Sequence, residues 1–133
     1  MEAVGGKTID VTWFGEEDKC GQASFYKTNL TLNTVSTDPF RSAYRVRVGG
    51  DKSGNIVIMP LDKDQVERDY TGGKGIYVLA VKKSYSRISS TELMSQIAAS
   101  LGIDTFGEKP LQFRTHFDKR EGMLVIETGK EYL

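Results

Sequence analysis

One histidine and one cysteine bound the chemistry this chain can do. His116 is the only histidine, and so the only side chain whose ordinary pKa lies near neutrality. A nucleophile–histidine–acid set would have to use it, and no Gly-x-Ser-x-Gly elbow or comparable turn accompanies it. A polar cross-strand residue is the simpler role for His116. Cys20 is the only thiol, so an internal disulfide is excluded and His116 with Cys20 cannot supply a zinc site alone. Glu16-Glu17-Asp18 is contiguous and lacks the spaced oxygens of a hard-cation loop. Gly72-Gly73-Lys74-Gly75 misses the spacing of a phosphate loop, and a strand rather than a helix is expected after it. These exclusions lead to the expectation of a non-enzymatic protein with no cofactor and no metal.

Basic side chains at strand spacing remain. Arg45 and Arg47 alternate with Val46 and Val48, and Arg114 and His116 alternate with Phe113, Thr115 and Phe117. Lys82, Lys83 and Arg87 gather ahead of the best helix of the chain. Such residues can neutralise phosphates and enter a groove of double-stranded DNA. They can equally well solvate the polar face of a half-exposed sheet. Convergence decides between the two: carboxylates interspersed among the arginines would remove the physical basis for duplex binding. Trp13, Phe14, Phe25 and Tyr26 could stack bases, although Trp13 and Phe25 also suit a core.

The elements that must carry these residues are legible to different degrees. Leu93, Ile97 and Leu101, with Met94 and Ala98 beside them, form one apolar helical stripe. Ser89 and Glu92 have capping-box spacing. Gly102 stands where a left-handed C′ residue belongs, and Ile103 where its apolar contact follows. After the helix, residues 112–117 alternate as a strand. Asp118 to Gly122 reads as a turn, and Met123 to Ile126 as an apolar return strand buried on both faces or lying along a barrel wall.

Upstream, residues 1–6 read as a loose end, and Thr8 to Phe14 alternates as a strand with Ile9, Val11 and Trp13 on one side. Gly15 to Gly21 is a turn or exposed loop. Ala23 to Leu32 is a strand with Phe25, Leu30 and Leu32 inward and a bulge or bend near Thr28-Asn29. Asn33 can cap a short helix, interrupted at Asp38-Pro39 or restarted there with Asp38 as cap. Tyr44 to Val48 is a strand, Asp51 to Asn55 a turn, and Ile56 to Met59 the return strand. Ile76 to Val81 is a further strand.

The order strand, helix, hairpin occurs twice. Asp51-Lys52-Ser53-Gly54-Asn55 followed by Ile56-Val57-Ile58 matches Asp118-Lys119-Arg120-Glu121-Gly122 followed by Met123 to Ile126, with one residue added in the second copy. Leu32-Asn33 falls on Ile88-Ser89. The expectation is a single domain over residues 1–133, with pseudo-repeats 8–61 and 76–129 joined by a polar connector 62–75. That connector has room for one helical turn at Lys63 to Arg68.

RISSTELMSQIAASLGI followed by LQFRTHFDKREGMLVIE resembles the AbrB/MazE/SpoVT family of swapped-hairpin proteins, and two such units in one chain resemble the tandem arrangement of MraZ-type members. The chain also resembles small uncharacterised proteins of Gram-positive bacteria and their mobile elements. The family resemblance implies an α+β, mostly antiparallel swapped-hairpin barrel. It also implies a DNA-binding, transcription-regulator or antitoxin-like role. Only Arg87 falls on the family's Gly-Arg position; Thr31 is its partner in the first copy, and the family's proline after that position is absent.

Lys plus Arg equals Asp plus Glu, 18 each, so any nucleic-acid binding needs a local patch rather than a global field. At 133 residues, 38% hydrophobic and 27% charged, the chain can bury one core. No apolar run approaches the ~20 residues of a membrane span, and MEAVGGKT lacks the features of a signal peptide. A cytoplasmic bacterial protein is expected. Its partner would be double-stranded DNA or, as the rival reading, a protein, including a second copy of itself.

Overall fold

Period-two alternation sets the inner face of this protein. Ala23 and Phe25, Leu30 and Leu32, Val46, Ile56 and Ile58, Ile88, Phe113, Leu124 and Ile126 are all buried in one cluster, while most of the residues between them face outward; Val125, between Leu124 and Ile126, is buried as well. The computed structural model describes residues 20–129 and, for the backbone, 3–4 and 7–8. Strands β1 (Ala3–Val4) and β2 (Lys7–Thr8) pair with each other, so part of the expected loose end is a ladder. The strand expected over Thr8 to Phe14 lies, beyond Thr8, outside the described residues, as do Glu16-Glu17-Asp18, Trp13 and Phe14.

Among the described residues the main sheet has nine strands. In chain order they are β3 (Gly21–Phe25), β4 (Asn29–Asn33), β5 (Arg45–Gly50), β6 (Ile56–Leu61), β7 (Ile76–Tyr77), β8 (Ala80–Val81), β9 (Tyr85–Ser89), β10 (Leu111–Asp118) and β11 (Met123–Ile126). Their spatial order is β7-β5-β6-β11-β10-β3-β4-β9-β8, antiparallel throughout. The two edges, β7 and β8, are separated in the chain by Val78 and Leu79 alone. Three residue steps span at most ~11 Å, so the sheet curls until its edges meet on one segment. With α1 (Thr34–Thr37), α2 (Lys63–Asp69) and α3 (Thr91–Ser100), this is an α+β architecture dominated by a curled antiparallel sheet.

Helix α3 closes the inner face with Leu93, Met94, Ile97 and Ala98. Its cap is Ser90, not Ser89: Ser90 Oγ accepts from the Leu93 N–H at 3.1 Å. Ser89 is still in the ladder, opposite Asn29, so its backbone is committed to the sheet. The helix ends as expected. Gly102 has φ +77, and the N–H groups of Gly102 and Ile103 donate to Ala99 and Ala98 carbonyls.

Three other expectations change. Residues 23–32 form a hairpin rather than one bulged strand: the Tyr26 N–H donates to Asn29 O at 2.8 Å, and the change of parity marks a reversal. Asn33 caps α1 through Ser36 N, but Asp38 opens a 3-10 turn (Asp38–Phe40) without capping it, its carboxylate accepting from Arg41 Nε at 3.0 Å. The strand read over Ile76 to Val81 is two short strands, because its halves pair with different partners, β5 and β9.

The rings of Phe25, Phe106 and Phe113 fill one end of the core, with centroids 5.6 and 5.1 Å from Phe25. Polar groups that the fold buries are satisfied. Ser36 shares a hydrogen bond with Thr115 (2.6 Å), and Thr37 with Ser86 (2.7 Å). Among the described residues no buried side-chain nitrogen or oxygen lacks a partner.

Candidate functional site

Strand β5 turns Val46 inward and Arg47 outward. Each arginine of this strand lies on a tyrosine. The Arg45 guanidinium is 4.2 Å from the Tyr44 ring centroid and donates to the Tyr44 carbonyl at 2.8 Å. The Arg47 guanidinium is 5.0 Å from the Tyr70 centroid, and its Nη1 donates to the Tyr70 hydroxyl at 2.9 Å. Helix α2 places Tyr70. Asp62 and Gln65 form a reciprocal capping box at its start, and Tyr70 is its C-cap. Between these groups lies an open depression of about 350 Å³ lined by Tyr44, Arg45, Glu67, Tyr70, Gly72 and Gly73.

The remaining basic residues lie elsewhere on the sheet. Arg87, on β9, is 5.2 Å from the Tyr85 centroid and donates to Thr31 Oγ1 at 3.4 Å. Lys82 and Lys83 are on the surface, and their carbonyls accept from Arg41 Nη1 and Nη2 at 3.0 and 2.9 Å. Arg114 reaches Cys20 Sγ at 3.8 Å. His116 Nδ1 is 2.9 Å from Glu127 Oε2.

The sheet brings Arg45 and Arg47 together, and Lys82, Lys83 and Arg41 together, but does not gather the arginines on one surface. Strand β10, which carries Arg114, is three strands from β5, or ~14 Å at the usual spacing. Strand β9, which carries Arg87, is another three from β10. Curling splays outward side chains further apart. Carboxylates also intervene: Glu127 beside His116, Glu67 in the depression, and Asp118 in the same cross-sheet row as Arg47.

Four strands build that row. Arg47 is opposite Met59, Ile58 is opposite Leu124, and Met123 is opposite Asp118. Continuing the register by one residue sets Met59 against Met123. The next outward row is Gly49, Val57, Val125, His116. Residues directly opposite share a face, so four apolar side chains, Val57, Met59, Met123 and Val125, stand side by side there; Val57, Met59 and Met123 are half-buried, and Val125 is buried. Arg47 and Gly49 flank them on one side, Asp118 and His116 on the other. Val57, Met59 and Met123 also line a shallow hollow with Arg47, Val48 and Gly49.

Sequence reasoning missed this apolar centre and the tyrosines under the arginines. The Asp62–Gln65 capping spacing was available in the sequence and would have set α2, with Tyr70 at its end. The pairing of β6 with β11 has no local signal. Among the described residues, no group of three or more His, Cys, Asp or Glu is placed to hold a metal ion, and no helix is long and apolar enough to cross a membrane. No family model, curated protein or solved structure matches this chain.

Proposed function

We propose that this chain is a non-enzymatic protein–protein interaction module that docks its partner on the outer face of β5, β6, β11 and β10. The observation that carries this reading is the half-exposed apolar patch of Val57, Met59 and Met123 between two charged margins. A face apolar in the middle and polar at the rim is the usual anatomy of a protein interface.

The reading includes a single domain of two related units in a swapped-hairpin arrangement. Two registers support it. Aligning the copies makes Thr31 equivalent to Arg87, and these two stand directly opposite each other. With the added turn residue counted, Val57 is equivalent to Val125, and these also stand opposite each other. Equivalent residues face each other across antiparallel strands where a twofold axis passes between them. The hairpin β5–β6 also sits between β7 and β11, and the hairpin β10–β11 between β6 and β3, so each hairpin lies among strands of the other unit.

A DNA-binding, regulator-like role is the second reading, and the observation favouring it is the depression with Arg45 on Tyr44 and Arg47 on Tyr70. The interspersed carboxylates weigh against it. A photo-crosslinking side chain at Met59 separates the two in growing cells. The interaction reading expects a discrete protein adduct from position 59 and none from position 31. A nucleic-acid adduct, or equal yields at both positions, overturns it. In parallel, a labelled mixed-sequence duplex titrated at several salt concentrations should show no steep salt dependence. A steep dependence that flattens when Arg47 or Arg114 is replaced would favour the second reading.

A further inference from the structure

The charges flanking the apolar centre are of opposite sign, and this specifies a partner. We infer that the protein seated on this face is a second copy of the chain, packed sheet to sheet about a twofold axis parallel to the strands; the inference rests on the interaction-module reading. Such an axis reverses each cross-sheet row. Arg47 then meets Asp118 of the second copy, and Asp118 meets its Arg47. Met59 lies over Met123, both of them half-exposed. The small Gly49 receives the bulkier His116. The row Arg47–Met59–Met123–Asp118 is therefore complementary to itself in charge. A twofold interface requires one patch to fit its own copy in this way.

Two sheets stacked face to face sit ~10 Å apart with strands inclined by about 30°, a gap the long, exposed Arg47 side chain spans on leaving Tyr70, where it rests in the single chain. The outer strands of the face are only ~14 Å apart, which places the contact at the small end of specific interfaces. The dimer is accordingly reversible and depends on concentration.

Sedimentation equilibrium of the full chain over a wide concentration range tests this. The expected result is a monomer–dimer equilibrium. Met59→Glu abolishes it by placing a charge in the apolar centre. Arg47→Glu weakens it about tenfold or more by setting two carboxylates against each other where Arg47 met Asp118. Asp118→Asn keeps the oxygen that caps its own turn, and combined with Arg47→Glu it recovers part of the lost affinity. Near-UV circular dichroism of each variant confirms the fold. Dimers that Met59→Glu and Arg47→Glu leave unchanged overturn the inference. A purified chain that stays monomeric throughout also overturns it. In that case a discrete heterologous adduct from position 59 in cells leaves the interaction reading standing, and no adduct at all removes both.

Discussion

The hydroxyls of Ser36 and Thr115 share a hydrogen bond of 2.6 Å although the residues are 79 positions apart. Ser36 is the third residue of the short helix α1, and Thr115 lies on the inner face of β10. The bond fixes α1 to a strand of the other half of the chain. Removing Ser36 leaves the buried Thr115 hydroxyl unsatisfied, at a cost of about 1–3 kcal/mol, whereas removing Thr115 leaves Ser36 Oγ its weaker hydrogen bond to Gln22 O at 3.4 Å. Ser36→Ala should lower stability by that order in urea denaturation, and Thr115→Val by less. The double variant should lose clearly less than the sum, since no hydroxyl is then stranded.

Gly21 is held to glycine by the same pair. A Cβ there would collide with Thr115 Oγ1 and lie 2.8 Å from Ser36 Oγ. Gly21→Ala should therefore destabilise by about 1–3 kcal/mol through overpacking. Thr115→Ala in that background removes the nearer of the two crowding atoms and leaves Ser36 Oγ, which can rotate away. The pair should show a favourable coupling in a thermal-denaturation cycle, and additive losses would contradict the steric account.

The helix cap gives a sharper comparison. Ser90→Ala should cost ~1 kcal/mol, the usual loss for a missing N-cap. Ser89→Ala should cost a few tenths at most, because its side chain is exposed at the strand end. Guanidinium midpoints for the two variants decide which serine caps α3.

Asp51 organises the β5–β6 turn. Its Oδ1 accepts from the backbone N–H groups of Ser53 and Asn55, both at 2.9 Å. The Asn55 backbone hydrogen bond is the largest cause holding this carboxyl below its ordinary value of 3.8. A carboxyl depressed in the folded state stabilises fully above its unfolded pKa and loses that stabilisation as pH falls through the folded value. The melting temperature of the parent relative to Asp51→Asn should thus be flat at neutral pH and converge below 3.8. The side chain is exposed to solvent, so the difference should be a few degrees at most. A gap that persists at the lowest pH would assign the effect to the amide rather than to the charge.

Much of the local structure is written in residue types. The Leu93–Ile97–Leu101 stripe, Gly102 at the helix end, the Asp118–Gly122 turn and the alternation of β10 all depend on neighbours within a few positions, and each stands where the pattern put it. Errors cluster where two local solutions compete. Both Ser89 and Ser90 can cap, and the ladder to Asn29 chose between them. The apolar run Ile76 to Val81 could be one strand, and its two partners split it.

Site geometry depended on pairings that no window of sequence contains. The positions of Arg45, Arg47, Arg114 and His116 on outward faces follow from alternation alone. Whether they converge depends on β6 and β11 lying between β5 and β10, which is a contact between residues far apart in the chain. The same contact creates the apolar centre: Val57 with Met59, and Met123 with Val125, are ordinary strand residues until the sheet sets them side by side. Sequence by itself determined which side chains face out, because a strand's period of two is a local property of the backbone. Only the tertiary structure decided which of them are neighbours, because strand order and register are fixed by burying the whole inner face at once.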